Sequence, residues 1–589
     1  MKWLPALLLG SAALLAAVPS FAQDSKSAPA APGQCPGGKA GLQLPPGFCA
    51  TVFADQIGHA RHLVVAPNGV VYINTWSGRY YGNDKPHDGG FLVALQDTTG
   101  SGHANINERF GDTVQSGSAG GTGIWIYKGA LYVEMNDRIL RYAMSDGSIV
   151  PTGKPDVIVS GMPLTGDHPM HPFAIDAQGS LFVDLGTATN SCQKENRTAN
   201  TPGDKPCTEL ETRGGIWRYD ANETGQVFSP AERYATGIRN ADGITLAPDG
   251  TLYATQHGRD QLGDNWSRFY KPEQGAELPA EELLKVVQGG DYGWPECYFD
   301  PFQHELVLAP EYGGDGGKKV GECAGKLAPV AAFPAHWAPN DVAIYTGSQF
   351  PKVYQGGAFL AFHGSWNRAP FPQSGYNLAF QPLAGGKASG KFVVFADGFA
   401  GPKKEPGTAE HRPSGVAVGP DGALYVTDDQ KGRVWRITYI GGDPEAKLHS
   451  VATTSPPVGT PAAAKALPPE GLHKDAGAPS TASLPVPPGS TAAAVALGQQ
   501  VFTGQVGGAP CTGCHGSDAK GSPLGPNLTA GKWTWSDGSL AGIQKSITTG
   551  VPTPKNYRSP MPPLGGAQLS PDQVSAVAAY VWALGHPAR

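Results

Sequence analysis

The chain has 589 residues, too long for one compact domain, and its net charge of −6 comes without any basic block, which excludes nucleic acid as a natural partner. Glycine supplies 81 residues, about twice the usual share, and lacks the period of collagen. It clusters in turns between short apolar runs, as expected of a chain rich in β-strands.

Residues 1–22 read as a secretory signal: Lys2 is the basic start, Leu4 to Val18 the short apolar core, and Pro19-Ser20-Phe21-Ala22 a small-residue end, with cleavage near Ala22–Gln23. The apolar run is too short for a membrane span and no later segment approaches one, so the mature chain is expected in the periplasm with no transmembrane segment. Six cysteines, Cys35, Cys49, Cys192, Cys207, Cys297 and Cys323, fall in three neighbouring couples. An oxidising compartment favours bridges. Nearest-neighbour pairing costs least loop entropy, although sequence alone leaves the connectivity open.

Aligning the turns reveals a repeat. Pro67-Asn68-Gly69-Val70-Val71-Tyr72-Ile73 matches Pro248-Asp249-Gly250-Thr251-Leu252-Tyr253-Ala254 and Pro420-Asp421-Gly422-Ala423-Leu424-Tyr425-Val426. Looser copies begin at Gly129, Gln178 and Gly357. Each copy is a turn followed by a strand, so six copies predict an all-β six-bladed propeller over residues 35–440. The widest gap, between Tyr253 and Leu360, is then a blade with a long insertion carrying Cys297 and Cys323. A large β-sandwich is the alternative. Residues 441–489 are rich in Pro, Ala, Ser and Thr without periodicity and read as a linker.

Residues 490–589 form a second, small all-α domain. Thr491 to Phe502 reads as a helix. A closing helix starts at Ser570 as N-cap, with Pro571 at N1, Gln573 completing a capping box, and Val574, Val577, Tyr580, Val581 and Leu584 as its apolar face. Between them stands Cys511-Thr512-Gly513-Cys514-His515. The two thiols of such a motif add across the vinyl groups of a haem, and the histidine becomes an axial iron ligand. No cysteine follows Cys514, so a structural zinc site would lack half its ligands. Beyond His515 the other candidate ligands are Met561, in the stiff Ser559-Pro560-Met561-Pro562-Pro563, and His586 near the chain end. Methionine opposite histidine suits electron transfer, and Met561 is the expected ligand. The helix plan, the motif and Gly525-Pro526-Asn527-Leu528 resemble a small class I cytochrome c.

A haem alone moves single electrons, so a source lies upstream. Gly237-Ile238-Arg239-Asn240, Gln256-His257-Gly258-Arg259-Asp260, Tyr292-Gly293-Trp294-Pro295, His363-Gly364-Ser365-Trp366-Asn367-Arg368 and Arg412-Pro413 together resemble the soluble PQQ-dependent glucose/sorbosone dehydrogenase family, nearer its sorbosone branch. That resemblance implies a six-bladed propeller binding pyrroloquinoline quinone (PQQ) at one end of its channel, and a sugar or aldehyde substrate. Arg239, Asn240, His257, Arg368 and Arg412 are its implied PQQ contacts. Guanidinium forks suit a tricarboxylate. The backbone carbonyls of Gly258 and Arg259 are the implied Ca²⁺ ligands, with Asp260 or Asp264 nearby. The implied catalytic base is His168, with His171 as competitor. The glucose branch orients this histidine with an aspartate after a strand glycine. Here Thr187 follows Gly186, so the expected orienting group is Asp167 or Asp184.

These readings lead to an exported quinohaemoprotein: a dehydrogenase passing electrons through haem c to a soluble or membrane-bound acceptor. Two rivals stand beside it, a Ca²⁺-dependent propeller lactonase and a non-catalytic propeller binding module, each carrying the cytochrome.

Overall fold

A computed structural model describes residues 1, 35, 37–75, 87–113, 121–144, 147–365, 367–368, 371–404, 409–455, 458, 484–503, 506, 511–516, 519–521, 525–552, 554–555, 557, 561, 563–566 and 569–586. The segment read as a secretory signal lies outside these residues, except for Met1. Among the described residues no helix is long and apolar enough to cross a membrane.

The described residues form six antiparallel blades: blade 1 (60–110), blade 2 (124–160), blade 3 (173–236), blade 4 (244–333), blade 5 (339–396) and blade 6 (413–439). The first strand of each blade packs beside the first strand of the next, and the sixth returns to the first, which closes the six-bladed propeller. The strand Phe48–Ala54 completes blade 6 by pairing with Val434–Tyr439, so the two ends of the domain share one sheet. Phe48 anchors that closure, with ring centroids 4.8 Å from Phe350 and 4.9 Å from Phe395.

The repeat seen in the sequence is the hairpin joining the first and second strands of each blade. Where the turn reads Pro-Asn/Asp-Gly, the glycine takes a left-handed φ (82° at Gly69, 84° at Gly250, 80° at Gly422), and its N–H donates to the carbonyl three residues earlier. Second strands such as Val71–Thr75 and Leu252–Gln256 are buried throughout, because sheets pack on both faces.

Five residues after the turn glycine comes a buried position that ties each blade to its neighbour. Asn74 donates to the Gly123 carbonyl at 3.1 Å. Glu134 accepts from the N–H groups of Thr122, Gly123 and His171 at 2.7–2.8 Å. Asp184 accepts from Ala241 N–H at 3.2 Å, Thr255 Oγ1 donates to the Pro339 carbonyl at 2.9 Å, and Thr427 Oγ1 donates to the Arg61 carbonyl at 2.5 Å. In blade 5 the position is Phe362, and Asp341 takes over by accepting from Val416 N–H at 2.9 Å.

The insertion lies in blade 4, between Glu281–Val286 and Ala331–Phe333, and carries the Cys297–Cys323 bridge. Cys35–Cys49 and Cys192–Cys207 are the other two bridges, so nearest neighbours pair throughout. The start of the expected linker differs from the sequence reading. Val451 N–H donates to the Val394 carbonyl at 2.9 Å, and Val451 and Ala452 pack on the apolar core between blades 4 and 5, so this stretch is laid along the propeller.

The C-terminal domain contains the helices Ala492–Phe502, Cys511–His515, Leu540–Thr549 and Pro571–Gly585. The capping box at Ser570 and Gln573 forms as expected. Leu540–Thr549, capped by Ser539, was not anticipated. Gly498 lets the first helix meet the last, since a Cβ there would lie 2.0 Å from the Ala576 carbonyl oxygen.

Glu134→Ala would leave three buried N–H groups without an acceptor and is expected to lower propeller stability by at least ~3 kcal/mol. Urea unfolding followed by tryptophan fluorescence would read this as a reduced midpoint, with Glu134→Gln losing less.

Candidate functional site

In an antiparallel blade the start of the first strand and the end of the second lie on the same face. All the propeller's candidate residues fall in loops at that face, opposite the repeat turns. His168 and Asp167 precede the first strand of blade 3, whose second strand ends at Leu185 and runs into Gly186-Thr187. Arg239, Asn240 and Asp242 precede the first strand of blade 4, and His257 to Asp260 follow its second.

His168 lies across the end of that blade 3 strand. Gly186 permits the approach, because a Cβ there would sit 2.6 Å from His168 Cβ and 3.0 Å from Asn240 Oδ1. The His168 ring places Nδ1 2.9 Å from the Thr187 carbonyl oxygen and 3.1 Å from Thr187 Oγ1. A carbonyl only accepts, so Nδ1 carries the proton and Nε2 keeps its lone pair. The orienting group is therefore Thr187, not Asp167 or Asp184. Asp167 is paired with Arg197, and Asp184 is turned toward Ala241. Burial first, then the Arg239 charge, lowers the His168 pKa to about 3, which keeps the ring neutral. His171 has both ring nitrogens engaged, Nδ1 at 3.2 Å from the Asn136 carbonyl and Nε2 at 2.9 Å from the Pro163 carbonyl.

Asp260 is the hub beside His168. Its Oδ2 accepts from Arg197 Nη2 at 2.9 Å and Arg239 Nη2 at 3.0 Å, and its Oδ1 from Asn367 Nδ2 at 2.6 Å. The two arginines hold its carboxyl well below the usual range against the cost of burial. Arg239, 2 % exposed, also donates to the Asn190 side chain at 3.0 Å and to the Gly258 carbonyl at 3.2 Å. Glu281 accepts from Gly258 N–H at 2.9 Å, and burial pushes its carboxyl up to about 7. The His257 ring bonds the Pro339 carbonyl at 3.1 Å. Asn240 Oδ1 is buried with no hydrogen-bond partner among the described residues.

A second group adjoins. Arg412 donates from Nε to the His363 carbonyl at 3.1 Å, and His363 Nε2 lies 2.8 Å from Asp429. Arg61 joins Asp429 at 2.8 Å to Asp242 at 3.0 Å. Arg368 stands apart from both groups. It is 1 % exposed, with Nη1 donating to the Ala276 carbonyl at 2.8 Å and Nε to the Pro372 carbonyl at 3.1 Å, a tie between two loops, while Nη2 is buried with no hydrogen-bond partner among the described residues. The Arg259 side chain likewise turns away, into a buried ion pair with Glu311. Asp264 is exposed and outside the Asp260 contacts.

Sequence reasoning missed Arg197, Asn190 and Asn367 as partners of Asp260. Arg197 and Asn190 sit in or beside the loop closed by Cys192–Cys207, where the cysteine couple was the available signal.

In the C-terminal domain Cys511 and Cys514 lie on one short helix, outside the three disulfides. His515 Nδ1 donates to the Pro526 carbonyl at 3.0 Å, which fixes the tautomer and leaves Nε2 for a metal. Met561 is held by a backbone bridge to Val551 and packs, like Cys511, against the domain's apolar core. Its neighbours Ser559, Pro560 and Pro562 lie outside the described residues. His586 is committed elsewhere, with its ring stacked on Trp582 at 4.1 Å and Nδ1 donating to the Trp582 carbonyl at 2.8 Å. Burial pushes the Cys511 thiol up to about 12 and the Cys514 thiol up to about 11, the latter against the pull of the Arg197 charge.

A family model described as TrAA12-like matches residues 42–439. The chain belongs to the TrAA12-like family. Residues 495–585 match the cytochrome c family model, and this domain follows the TrAA12-like propeller in the same chain. Among curated proteins, an uncharacterized protein of Borreliella burgdorferi is 26% identical over 211 residues, 35% of this chain and 49% of its own. The cbb3-type cytochrome c oxidase subunit FixP of Rhizobium etli is 43% identical over 77 residues, 13% of this chain and 26% of its own. A PQQ-dependent pyranose dehydrogenase of Coprinopsis cinerea is 27% identical over 241 residues, 35% of this chain and 31% of its own. The chain thus spans about half the length, or less, of these curated relatives. Among solved structures, the calcium form of the Trichoderma reesei family AA12 enzyme gives a TM-score of 0.54 at 17% identity, covering 69% of this chain and 98% of that one. The holo PQQ domain of the Coprinopsis cinerea pyranose dehydrogenase gives 0.51 at 18% identity, covering 69% and 99%. At such identities these likenesses speak for the TrAA12-like fold.

The donor sets fit the three groups read from the sequence. Paired thiols with a tautomer-fixed histidine suit haem c. Guanidinium forks beside amides, one with an unpartnered buried oxygen, suit a polycarboxylate quinone. The Gly258 carbonyl accepts one hydrogen bond and retains a lone pair for a hard cation.

Met561→Ala is expected to leave haem attached through Cys511 and Cys514 and to lower its reduction potential, as a soft ligand favouring Fe(II) is lost. Redox titration of the purified variant checks this, and an unchanged potential points to another ligand.

Proposed function

We propose that the protein is an exported quinohaemoprotein dehydrogenase that oxidises a sugar or aldehyde and delivers electrons through haem c to a downstream soluble or membrane-bound acceptor. One observation carries the reading: His168 presents a neutral ring, its Nε2 unbonded among the described residues, beside a hub in which the carboxylates of Asp167 and Asp260 face the guanidiniums of Arg197 and Arg239. The names of the Coprinopsis cinerea and Trichoderma reesei relatives support PQQ and calcium as its cofactors.

When bound, PQQ supplies a two-electron hydride acceptor and haem c a one-electron carrier. The chain's own residues do the rest. Arg239 and Arg412, with Asn240 and His257, would hold the quinone's carboxylates and orient it over the channel. The carbonyls of Gly258 and Arg259 would take the calcium ion, and the tight packing at Gly258, where a Cβ would lie 2.9 Å from the Ala280 carbonyl, presents bare backbone there. His168 Nε2 takes the proton of the substrate hydroxyl while Thr187 holds the ring in place. Cys511 and Cys514 would tether the haem, and His515 Nε2 and Met561 would hold its iron.

His168→Ala is expected to cut dye-linked sugar oxidation by about a thousandfold while PQQ still binds. His171→Ala should keep turnover, and the opposite pattern would exchange their roles. Because the ring stays neutral down to about pH 3, kcat/KM should show no acid limb between pH 7 and about pH 5. Loading the protein with PQQ and Ca²⁺ and offering a panel of aldoses and aldehydes tests the whole reading, with haem reduction as the signal. Failure of every substrate to reduce the haem sinks it. Removal of Ca²⁺ with EDTA should release quinone and activity together, and full activity in excess chelator would remove calcium from the assignment.

A further inference from the structure

We infer that Arg197 is a positioning residue for the base: by neutralising Asp167 and Asp260 it keeps His168 unprotonated, so that Nε2 is ready to accept the substrate proton. The inference rests on the reading of His168 as the base.

The placement of Arg197 is over-determined. Its loop is closed by the Cys192–Cys207 bridge, and Gln193 Nε2 stitches it internally by donating to the carbonyls of Thr198 at 3.0 Å and Thr201 at 2.9 Å. The Arg197 backbone has φ 62°, a left-handed conformation that a non-glycine residue keeps only when its surroundings impose it. From there Nη2 reaches Asp167 Oδ2 at 3.0 Å and Asp260 Oδ2 at 2.9 Å, while Nη1 reaches Gln261 Oε1 at 3.3 Å. Asn196, the residue before it, donates to the same Asp167 oxygen at 3.4 Å.

Asp167 adjoins His168 in the chain, and an ionised carboxylate beside an imidazole favours the imidazolium. The charged and titratable groups facing His168 are Asp167 from its own loop, Asp260 and His257 from the loop after blade 4's second strand, and Arg239 from the loop before that blade. Burial disfavours the charged ring most, Arg239 and His257 act in the same direction, and the two carboxylates push it toward protonation. Arg239 is shared with Asn190 and Gly258, whereas Arg197 puts three of its contacts on Asp167 and Asp260. Without Arg197 the Asp167 carboxylate loses this ion pair while Asp260 retains Arg239, so the negative charge next to His168 rises and the ring would titrate at higher pH.

The test uses the full haem-loaded chain without added quinone, so it does not depend on dehydrogenase activity. Diethylpyrocarbonate reacts with neutral imidazole, and its rate at His168, followed by peptide mass, reports the protonation of that ring between about pH 4.5 and 8. Wild type and Arg197→Lys are expected to give a flat profile down to about pH 5. Arg197→Gln should show a fall whose midpoint lies at least about one unit higher, a tenfold change in the proton equilibrium. The double variant Arg197→Gln, Asp167→Asn should return toward wild type, since the charge needing compensation is gone. Arg197→Met, which keeps the aliphatic stem, gives the same measurement where the glutamine variant does not fold. A profile for Arg197→Gln or Arg197→Met that coincides with wild type overturns the inference, as does a double variant that keeps the shifted midpoint. Retained turnover in His168→Ala with the shift present would sink the assignment of the base and leave the electrostatic role of Arg197 standing.

Discussion

The structure depends on a ring of buried polar ties between neighbouring blades. Apolar sheet faces pack well against one another but resist sliding only weakly, so shape alone leaves the relative height of two blades loosely set. A side chain that must find a backbone partner on the next blade removes that freedom. Asn74, Glu134, Asp184, Thr255 and Thr427 do this from one equivalent position, and Asp341 substitutes where blade 5 has Phe362. Arg61 adds a bolt from blade 1 to Asp242 before blade 4 and Asp429 after the second strand of blade 6, with all three side chains at most 4 % exposed. A buried ion pair of this kind sets register more than it adds stability.

Register matters because the candidate site belongs to no single blade. His168 and Thr187 come from the edge of blade 3, Asp260 and Arg239 from around blade 4, Asn367 from blade 5 and Asp429 from blade 6. A vertical slip of one residue between blades 3 and 4 would part Asp260 from the Asp167–Arg197 pair. The site also solves a charge problem locally. Two carboxylates beside a base would protonate it, and two arginines answer them within about 3 Å. The His168 ring is oriented by a main-chain carbonyl, which a neutral imidazole N–H satisfies without adding another charge.

The cytochrome domain is organised differently. Its CxxCH motif lies within five consecutive residues, Met561 packs against the domain's apolar core, and the Pro526 carbonyl holds the His515 ring. Gly498 is the hinge of that packing, since the closing helix rests against its bare backbone.

This contrast explains what could be read from the chain alone. CxxCH, the capping box at Ser570 and the turn-strand repeat are local chemistry: helix termination and left-handed turn glycines are decided within a few residues, so the sequence by itself determined the cytochrome c domain, the blade count and the closing helix. Even the inter-blade ties stand at a fixed offset from the turn glycine, although their partners do not. The choice of Thr187 over Asp167 or Asp184, the diversion of Arg368 and of the Arg259 side chain into structural bonds, and the arrival of Arg197 and Asn367 at Asp260 were decided by tertiary structure. A guanidinium or carboxylate takes its role from whichever partner the fold brings within about 3 Å, and those partners lie 107 residues apart for Asn367 and Asp260 and 368 apart for Arg61 and Asp429. No spacing rule along the chain encodes that distance.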